Sequence, residues 1–513
     1  MTLAVLSSCA LVGAEMRAVR VEVHISRGLP AFTVVGMADL GVRESRERVR
    51  SAIVSSGYSF PAARITVNLA PADLPKDSGR FDLPIALGVL LASGQMRIMS
   101  TTGRATTPPA VDHFVFAGEL SLTGAVVPVA GSLAIGLGVK QHFPDRCLVL
   151  PQQSAVLAAH IPALTVIPVQ TLTEAVNYLC HKQQIAPAVA SELAPSPTQQ
   201  LCMSEVYGQQ QARLALELAA CGGHSLLMTG PPGVGKSMLA QRLATILPSL
   251  ETTQQLEVAV LHQLDTRSQS PFVFSSAAPF RAPHHSCTVP AMIGGGRQLR
   301  PGEISLAHHG VLFMDEFPEF ERRVLESLRE PLENGEVVIA RANHHGRFPA
   351  KFQLIAAMNP CPCGYLGHEK IACKCSPERV TRYRSKLSGP LLDRIDLHLP
   401  LHFEADLLQR KGQTEASAPI RQRVTACRER QYQRQGCLNS SLQGAALEEY
   451  APLHTAASAM LEKAMQRWAW SARTIQRLRR VARTIADAEE KSLILPEHVA
   501  LAMQYREQLR LTP

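Results

Sequence analysis

The stretch Gly230-Pro231-Pro232-Gly233-Val234-Gly235-Lys236-Ser237 decides the fold of the largest part of this chain. The apolar run Ser225-Leu226-Leu227-Met228 comes just before it and predicts a strand, and a helical pattern runs from Met238 to Ile246. Glycines in such a turn let backbone N–H groups point at phosphate oxygens. Lys236 would reach the β- and γ-phosphates, and Ser237 would hold Mg²⁺. We therefore predict that residues 230–238 bind a nucleoside triphosphate.

A buried acidic strand supplies the second part of this chemistry. The segment Gly310-Val311-Leu312-Phe313-Met314-Asp315-Glu316 places two carboxylates where an apolar strand ends, which is the edge at which parallel sheets bind ligands. Asp315 would order the Mg²⁺, and Glu316 would polarise the attacking water. Another apolar strand, over 352–357, ends in Met358-Asn359, and the amide of Asn359 would position that same water. Together these motifs predict ATP hydrolysis.

Length and composition describe a large multidomain protein. At about 150 residues per domain, 513 residues predict roughly three domains. Apolar residues make up 46% and charged residues 19%, which excludes global disorder. Lys plus Arg number 52 against 43 Asp plus Glu, a mildly basic balance. No apolar run approaches the roughly eighteen residues of a membrane span, and the first residues lack the basic region of a signal peptide, so we expect a cytoplasmic protein.

Changes of periodicity divide the chain into three units. Strand and helix patterns alternate over 1–182, which predicts an α+β domain, and 183–200 is a linker rich in Pro, Ala and Ser. Apolar strands alternate with helices over 201–403, the pattern of a parallel sheet covered on both faces. Only helical patterns follow in 404–513. We therefore predict an α/β core with a helical lid, preceded by an α+β domain.

The order of these motifs resembles AAA+ ATPases, and within them the group that includes magnesium chelatase motors and MCM helicases. Gly389-Pro390-Leu391-Leu392-Asp393-Arg394-Ile395-Asp396 follows Asn359 in the order expected for that group. Longer stretches resemble the bacterial magnesium chelatase-like family, whose characterised type is a competence protein. These stretches are GLPAFTVVGMADLGVRESRERVRSAI, FRAPHHS, RPGEISLAHHGVLFMDE, NPCPCGYLG and VARTIADAE. The resemblance covers residues 3–506.

The resemblance implies further residues of the ATP site. Arg394 would be the arginine finger that reaches the ATP of a neighbouring subunit, and Arg473 would be the sensor-2 arginine of the lid. Tyr207-Gly208-Gln209 resembles the segment that lies beside adenine in this family. A fixed guanidinium stabilises charge on a phosphoryl group during transfer, which suits both arginines. From its position alone, Arg394 is also explained by an ion pair with a neighbouring aspartate.

The N-terminal unit resembles the proteolytic domain of Lon proteases, through segments around residues 75–79 and 117–133. Lon proteases cut peptides with a Ser–Lys dyad. In this chain Arg80-Phe81-Asp82 takes the place of the serine, and Ala134 takes the place of the lysine. One serine and one lysine survive within 75–79, so proteolysis remains an alternative. We predict a non-proteolytic domain that helps to assemble or load a ring.

Four of the twelve cysteines lie in one short loop, as Cys361-Pro362-Cys363 and Cys373-Lys374-Cys375. Four thiolates suit a closed tetrahedral Zn²⁺ site, although the one-residue spacing is tighter than the usual two. His368 could replace one of the ligands, and the alternative to a metal is a cluster of buried, reduced thiols. We expect zinc and a reducing compartment.

Two insertions carry the predicted nucleic acid contacts, because the family places them towards the pore of a ring. The first insertion spans 293–300, and the second is a predicted hairpin over 337–351 with its tip at 343–347. Basic groups there suit phosphate contact. The predicted contact residues are Arg297, Arg300, His344, His345, Arg347 and Lys351. The basic run 463–483 is another candidate, equally well explained as a solvated helix face.

The residues and the resemblance together indicate an ATP-driven, ring-forming DNA motor. In natural transformation such a helicase or branch-migration factor would promote the integration of incoming DNA by homologous recombination. We expect a homo-hexamer that uses ATP and Mg²⁺ and binds single-stranded or branched DNA. The alternative is a chelatase-type chaperone motor that remodels a protein partner. The intact Lys236, Asp315, Glu316 and Arg394 argue against a non-catalytic scaffold.

Overall fold

The structure, a computed structural model, describes most of the chain in two compact units. The described residues are 3–36, 40–72, 74, 79–96, 110–190, 201–265, 274–296, 299–341, 344–403 and 414–506, with the backbone alone at 40–43, 110, 340–341 and 344–345. The first unit comprises residues 1–194, 259–274 and 338–348, and the second comprises 195–258, 275–337 and 349–513. Within the described ranges, no helix is both long and apolar enough to cross a membrane.

A mixed sheet with helices forms the N-terminal part of the first unit. Its strands are β1 (Leu3–Val12), β2 (Glu15–Ser26), β3 (Ala31–Val35), β4 (Arg64–Ala70), β5 (Phe114–Phe116), β6 (Glu119–Leu120), β7 (Val126–Val127), β8 (Cys147–Pro151) and β9 (Val166–Val169). Its helices are α1 (Leu40–Ser55), α2 (Asp82–Ala92), α3 (Ser132–His142), α4 (Gln152–Ala158) and α5 (Leu172–Leu179). Seven strands form one sheet in the order β3-β4-β2-β1-β5-β8-β9, and β6 pairs with β7.

The apolar pattern of the sequence explains this sheet and its core. In β2 the buried residues Val19, Val21 and Val23 alternate with exposed or half-exposed ones, as one buried sheet face requires. Helix α2 is buried along its whole length, in keeping with its apolar sequence. Residues 19–25, which alternate between apolar and polar, lie within β2, and residues 45–53, whose charges are spaced as on a helix face, lie within α1.

A buried ion pair occupies the position where the resemblance places the protease serine. Asp82 begins α2 and is fully buried, and its Oδ2 accepts a hydrogen bond of 2.7 Å from Nε of Arg48 in α1. The backbone N–H of Leu120 also donates to this carboxylate, at 3.3 Å. Burial raises the pKa of Asp82, while hydrogen bonds from Arg48 and Ser45 oppose that rise. Asp82 therefore joins α1, α2 and β6, which is a structural role.

From residue 201 onwards, short strands alternate with helices. The strands are β10 (Leu226–Thr229), β11 (Phe280–Arg281), β12 (Gly294–Gly295), β13 (Arg300–Pro301), β14 (Val311–Met314), β15 (Glu336–Arg341), β16 (His344–Pro349), β17 (Gln353–Met358) and β18 (Leu397–Pro400). The helices before the lid are α6 (Gln210–Gly222), α7 (Lys236–Ile246), α8 (Thr252–Leu264), α9 (Val289–Ile293), α10 (Glu303–Leu306), α11 (Arg322–Ser327), α12 (Arg329–Asn334), α13 (Pro377–Arg384) and α14 (Gly389–Leu392).

A five-stranded sheet forms the centre of the second unit, in the order β11-β14-β17-β10-β18. All its neighbouring strands are parallel, as the sequence predicts for an α/β core. The register pairs Thr229 of β10 with Met358 of β17, and Met314 of β14 with Ala356. The strands that precede the phosphate-binding turn, the acidic pair and Asn359 therefore end at the same edge of the sheet, so the fold brings the three motifs together.

Helices alone follow among the described residues after 414, as predicted for the lid. They are α15 (Ser417–Gln435), α16 (Gly444–Tyr450), α17 (Thr455–Trp468), α18 (Ala472–Ala488) and α19 (Pro496–Gln504). Helix α18 packs on α6 through apolar residues and through Nε2 of His224, which lies 2.8 Å from the hydroxyl of Thr484. Inside the lid, buried Asp487 accepts hydrogen bonds from Arg434 and Arg483. The contacts of α18 with α6 and His224 anchor the lid to the core, and those of Asp487 hold the lid helices together.

Candidate nucleotide and metal sites

The phosphate-binding turn has the backbone that its glycines predict. Strand β10 ends at Thr229, and α7 begins at Lys236 with Gly235 as its N-cap at φ +92°, in the left-handed region that favours glycine. Gly230 lies against the backbone of Leu401, where an added Cβ would be 2.7 Å from the carbonyl oxygen. The free N–H groups at the start of α7 therefore face the turn, as anion binding requires. Pro231 and Val234 are at least half-buried in the turn, and Pro232 and Gly233 are exposed.

Lys236 is held inside the turn by three acceptors. Its Nζ donates to the carbonyl oxygens of Gly230 and Pro231, at 2.7 and 2.9 Å, and to Oδ1 of Asn359, at 2.9 Å. Burial lowers the pKa of Lys236 to about 8, although Asp315 and Glu316 act in the opposite direction. The ammonium group thus joins the turn to the end of β17.

The acidic pair lies opposite the first turn of α7. Ser237 Oγ donates a hydrogen bond of 2.6 Å to Oδ2 of Asp315, so the two predicted Mg²⁺ ligands are in contact. Glu316 has φ +52°, and its backbone N–H donates to Oδ1 of Asp315 at 2.9 Å. The other partner of Glu316 is His285, whose Nδ1 lies 3.2 Å from Oε2. The Glu316 side chain is 55% exposed, which leaves it accessible to water.

The predicted adenine-side residues precede α6. Gln209 has φ +50° and is buried, and its Nε2 donates to the carbonyl oxygen of His402 at 3.2 Å. Gly208 also has positive φ, and the Tyr207 side chain is 51% exposed. Met238, in the first turn of α7, is half-buried against the core. The exposed Tyr207 ring is available to a ligand, and its role stays a prediction.

One of the two predicted arginines contacts a carboxylate whose pKa the other also influences. Arg394, just after α14, donates from Nη1 to the carbonyl oxygen of Pro390 at 2.9 Å and from Nη2 to Glu333. Arg394 is the largest cause of a lowered pKa at Glu333, and Arg473 and Arg477 contribute. Within the described residues, no hydrogen bond or ion pair joins Arg394 or Arg473 to the turn, the acidic pair or Asn359. Both arginines therefore lie near Glu333, without a described link to the phosphate-binding residues.

The four loop cysteines form one cluster. Their sulfur atoms all lie within 4.8 Å of one another. The Sγ of Cys361 lies 3.4 Å from that of Cys363 and 3.7 Å from that of Cys373, and the Cys363–Cys373 separation is 3.5 Å. With Zn–S bonds of 2.3 Å, a tetrahedral site has S–S edges of about 3.8 Å, so the four thiols fit zinc. His368 Nδ1 instead accepts from the N–H groups of residues 370 and 371.

The cysteine loop packs on the phosphate-binding turn. An added Cβ at Gly364, which follows Cys363, would be 2.6 Å from Cδ of Pro232. The hydroxyl of Tyr383 hydrogen-bonds the backbone of Asn359, and the guanidinium of Arg384 donates to the carbonyl oxygen of Pro360 at 3.3 Å. The loop therefore supports the turn, and α13, which follows the loop, supports the end of β17.

The structure describes some of the predicted DNA-contact residues in full, some by their backbone alone, and one not at all. Arg297 lies outside the described residues, and Arg300 is half-buried on β13, which pairs with β12. The hairpin strands exist as β15 and β16, and β16 already begins at residue 344, so residues 344–347 of the predicted tip lie in a strand. His344, His345 and Arg347 therefore lie in β16, with the Arg347 side chain exposed. Lys351, just beyond β16, is also exposed.

The sequence analysis did not identify three residues that contact other polar side chains of this region. His285 contacts Glu316, and Glu333 contacts Arg394. Glu257 of α8 binds Nε2 of both His308 and His309, at 3.0 and 2.7 Å. The backbone N–H of Lys351 donates to Nδ1 of His308, so the neutral ring carries its proton on Nε2 and cannot use that nitrogen for a metal. The histidine pairs at 284–285 and 308–309 are visible in the sequence, but the sequence does not show which residues they contact.

Comparisons with known proteins define the class of this protein. Profiles of the magnesium chelatase subunit ChlI match residues 21–154 and 202–406, and a profile of the ChlI C-terminal part matches 414–506. With a parallel sheet and helices that carry a phosphate-binding turn, the fold agrees with an AAA+ protein of the magnesium chelatase type. Membership of that class suggests an ATPase.

Full-length relatives give the particular family. The chain is 42% identical to competence protein ComM of Haemophilus influenzae, over 100% of this chain and 99% of that protein. It is 43% identical to the protein YifB of Salmonella typhimurium, over 99% and 97% of the two chains. The chain therefore belongs to the magnesium chelatase-like family of ComM and YifB. A more distant relative, the magnesium-chelatase 38 kDa subunit of Rhodobacter capsulatus, is 28% identical over 31% of this chain and 49% of that protein.

Proposed function

We propose that this protein is an ATP-driven, ring-forming DNA motor that acts as a helicase or branch-migration factor. Its role would be to promote integration of DNA by homologous recombination during natural transformation. The observation that carries the ATPase part is the convergence of Lys236, Ser237, Asp315, Glu316 and Asn359 at one sheet edge. Full-length similarity to a protein named for competence supports the DNA part.

The chain's own groups divide the chemistry of hydrolysis between them. Mg²⁺-bound ATP supplies the phosphoryl group that is transferred to water. Lys236 exchanges the carbonyl oxygens of the turn for phosphate oxygens, and the free N–H groups of α7 bind the same phosphates. Ser237 and Asp315 would hold the Mg²⁺. Glu316, which is accessible and next to Asp315, orients and polarises the water, and Asn359 fixes its position.

A second subunit completes the site in this proposal. Arg394 and Arg473 lie around Glu333 and have no described bond to their own chain's phosphate-binding residues. Such an arrangement suits a head-to-tail contact in which these arginines serve the neighbour's ATP, and such contacts close into rings. We propose a homo-hexameric ring in the cytoplasm.

The basic groups of the two insertions are the proposed DNA contacts. Arg347 and Lys351 are exposed, Arg300 is half-buried, and the chain carries a formal charge of +9. Exposed cations of this kind bind phosphates without regard to base sequence. We include Arg297, His344 and His345 in this surface on their sequence positions alone.

We further propose that Cys361, Cys363, Cys373 and Cys375 hold a structural Zn²⁺. The support is the fit of their sulfur separations to a tetrahedral thiolate site. When bound, the metal fixes the loop that packs on Pro232. The ligands and the loop would therefore act on ATP binding only through packing.

The N-terminal part is, in our proposal, a Lon-protease-like domain without proteolytic activity that helps the ring to assemble or load. Its Asp82–Arg48 pair supports this, because a buried ion pair fills the place of a nucleophile. A casein-type protease assay on the purified protein checks it, and we expect no ATP-stimulated cleavage.

A chelatase-type motor that remodels a protein partner is the second candidate. The similarity of 31% of the chain to a magnesium-chelatase subunit favours it. One experiment separates the two functions, namely ATPase rates with and without single-stranded or branched DNA. We expect DNA to raise turnover of the wild-type protein, with Glu316→Gln as the control that binds ATP but does not hydrolyse it. Turnover that is indifferent to every DNA structure would favour the protein-remodelling function.

A further inference from the structure

Among the described residues, two hydrogen-bond partners orient the side chain of Arg394. Its side chain is 12% exposed, and its Nη1 donates to the carbonyl oxygen of Pro390, four residues earlier in the same turn. Its Nη2 donates to the carboxylate of Glu333, 61 residues earlier in the chain. Nε is buried and has no hydrogen-bond partner in the part of the chain that the structure describes. Glu333 is therefore the one contact from outside its own turn that the described residues give to the Arg394 guanidinium.

Glu333 is placed to orient the Arg394 guanidinium rather than to stabilise the fold. It lies at the end of α12, and its side chain is 52% exposed. Water reaches the carboxylate end of the pair and screens it, so we expect the pair to contribute little to stability. The carboxylate also lies in the field of Arg473 and Arg477, which together with Arg394 lower its pKa. The carboxylate at 333 therefore lies in a basic environment, in which Arg394 is the arginine that it contacts.

The geometry of a guanidinium explains why such a partner matters. The group carries five N–H donors in one rigid plane, so a single bidentate or paired contact sets the direction of the rest. Pro390 and Glu333 each take one donor and leave the remaining Nη hydrogens for another acceptor. Because the Pro390 contact lies within the residue's own turn, Glu333 decides where the outer edge of the plane points.

We propose that Glu333 is a positioning residue that aims Arg394 at the ATP of the neighbouring subunit. This inference rests on the proposed function, in which Arg394 is an arginine finger. Glu333 itself touches no phosphate, and it acts by fixing the guanidinium plane before the neighbour's ATP arrives.

Glu333→Gln tests this, because the amide keeps the shape of the side chain and removes its charge. We expect kcat for ATP to fall about 10- to 100-fold, the usual cost of misplacing a catalytic group by about 1 Å, with KM unchanged. The matched control is Glu330→Gln, which makes the same change of charge at an exposed residue of the same helix. It should keep the wild-type kcat. A wild-type kcat in Glu333→Gln, or a faster one, would overturn the inference.

A mixing experiment assigns Glu333 to the arginine side of the interface, which a general structural role would not do. Glu333→Gln chains mixed with Glu316→Gln chains should recover activity, since some interfaces combine two intact sides. Glu333→Gln chains mixed with Arg394→Ala chains should recover none, and recovery there would contradict the inference. If Arg394→Ala itself had wild-type turnover, the arginine-finger proposal would fail instead, so the two failures are distinguishable.

Discussion

The phosphate side and the arginine side of the candidate ATP site differ in how completely one chain builds them. On the phosphate side, Lys236, Asn359, Ser237 and Asp315 form hydrogen bonds between residues up to 123 positions apart. On the arginine side, Arg394 and Arg473 gather around Glu333 and show no described bond to the phosphate side. One chain therefore preorganises its phosphate side, while its two arginines make no described contact with that side. A site that is shared between subunits needs two such separate halves. The comparison thus predicts different phenotypes for the two sides.

The largest effect is expected on the phosphate side. Lys236→Ala removes the ammonium group that joins the turn to Asn359, and we expect loss of detectable nucleotide binding. Glu316→Gln should bind ATP normally and not turn it over, because the amide cannot polarise water. Equilibrium binding of a fluorescent ATP analogue and a phosphate-release assay measure the two. Normal turnover in Glu316→Gln would show that another residue polarises the water.

On the arginine side, Arg394→Ala should leave ATP binding nearly intact and lower turnover about 10³-fold or more, as loss of an arginine finger does. Mixing Arg394→Ala chains with Glu316→Gln chains should restore part of the activity, because one kind of interface then has both sides intact. Steady-state phosphate release at several mixing ratios is the measurement. No recovery at any ratio would break the comparison and place the whole site within one chain.

The hairpin tests whether DNA contacts are separate from both sides. We expect Arg347→Ala with Lys351→Ala to abolish strand displacement and to spare basal ATPase, because the ATP site is built from other segments. Each lost phosphate contact should lower the salt slope of single-strand affinity by about 0.7, giving about 1.4 for the pair. Binding titrations across a range of salt concentrations measure this. An unchanged slope with wild-type strand displacement would direct attention to the basic run 463–483.

Removal of the proposed zinc should affect the phosphate side alone. The cysteine loop packs on Pro232, and the helix that follows the loop contacts Asn359 and Pro360. Loss of the zinc should therefore disturb the phosphate-binding turn and raise KM for ATP. Metal analysis of the purified protein should return about one zinc per chain, and Cys361→Ser with Cys373→Ser should lower it. A zinc content far below one per chain would end the zinc proposal. When chains of the cysteine variant are mixed with Glu316→Gln chains, we expect no recovery of ATPase activity, since both defects are on the phosphate side.

The smallest effect concerns pH. Burial lowers the pKa of Lys236 to about 8, and phosphate binding requires the protonated form. ATP affinity should therefore be constant below about pH 7 and fall by up to about tenfold per pH unit above pH 8, as a single titrating group dictates. Calorimetric titration with ATP from pH 6.5 to 9.5 shows this. Arg394→Ala should keep the same profile, because that residue lies on the other side, and a flat wild-type profile would contradict the pKa.

Most of the phosphate side was predictable from local sequence, and the arginine side was not. The glycines, Lys236 and the strand-flanking carboxylates have a fixed relation to the backbone, so spacing alone predicts their positions. The parallel order of the central sheet also follows from its buried strands. By contrast, Glu333 and His285 are an ordinary acid and an ordinary histidine in the sequence. Their contacts with Arg394 and Glu316 depend on how separate loops fold back on the core.

The sequence by itself determined the phosphate-binding turn, the acidic strand end, the cysteine set and the family, because each depends on residue types at short, fixed spacings. Only the tertiary structure decided which side chains hold them. It put Gly364 against Pro232, Asp82 against Arg48, and Glu333 against Arg394. The physical reason is that short-range backbone rules fix a motif within about ten residues. Contacts across tens to hundreds of residues depend on the packing of whole elements, which no local pattern encodes.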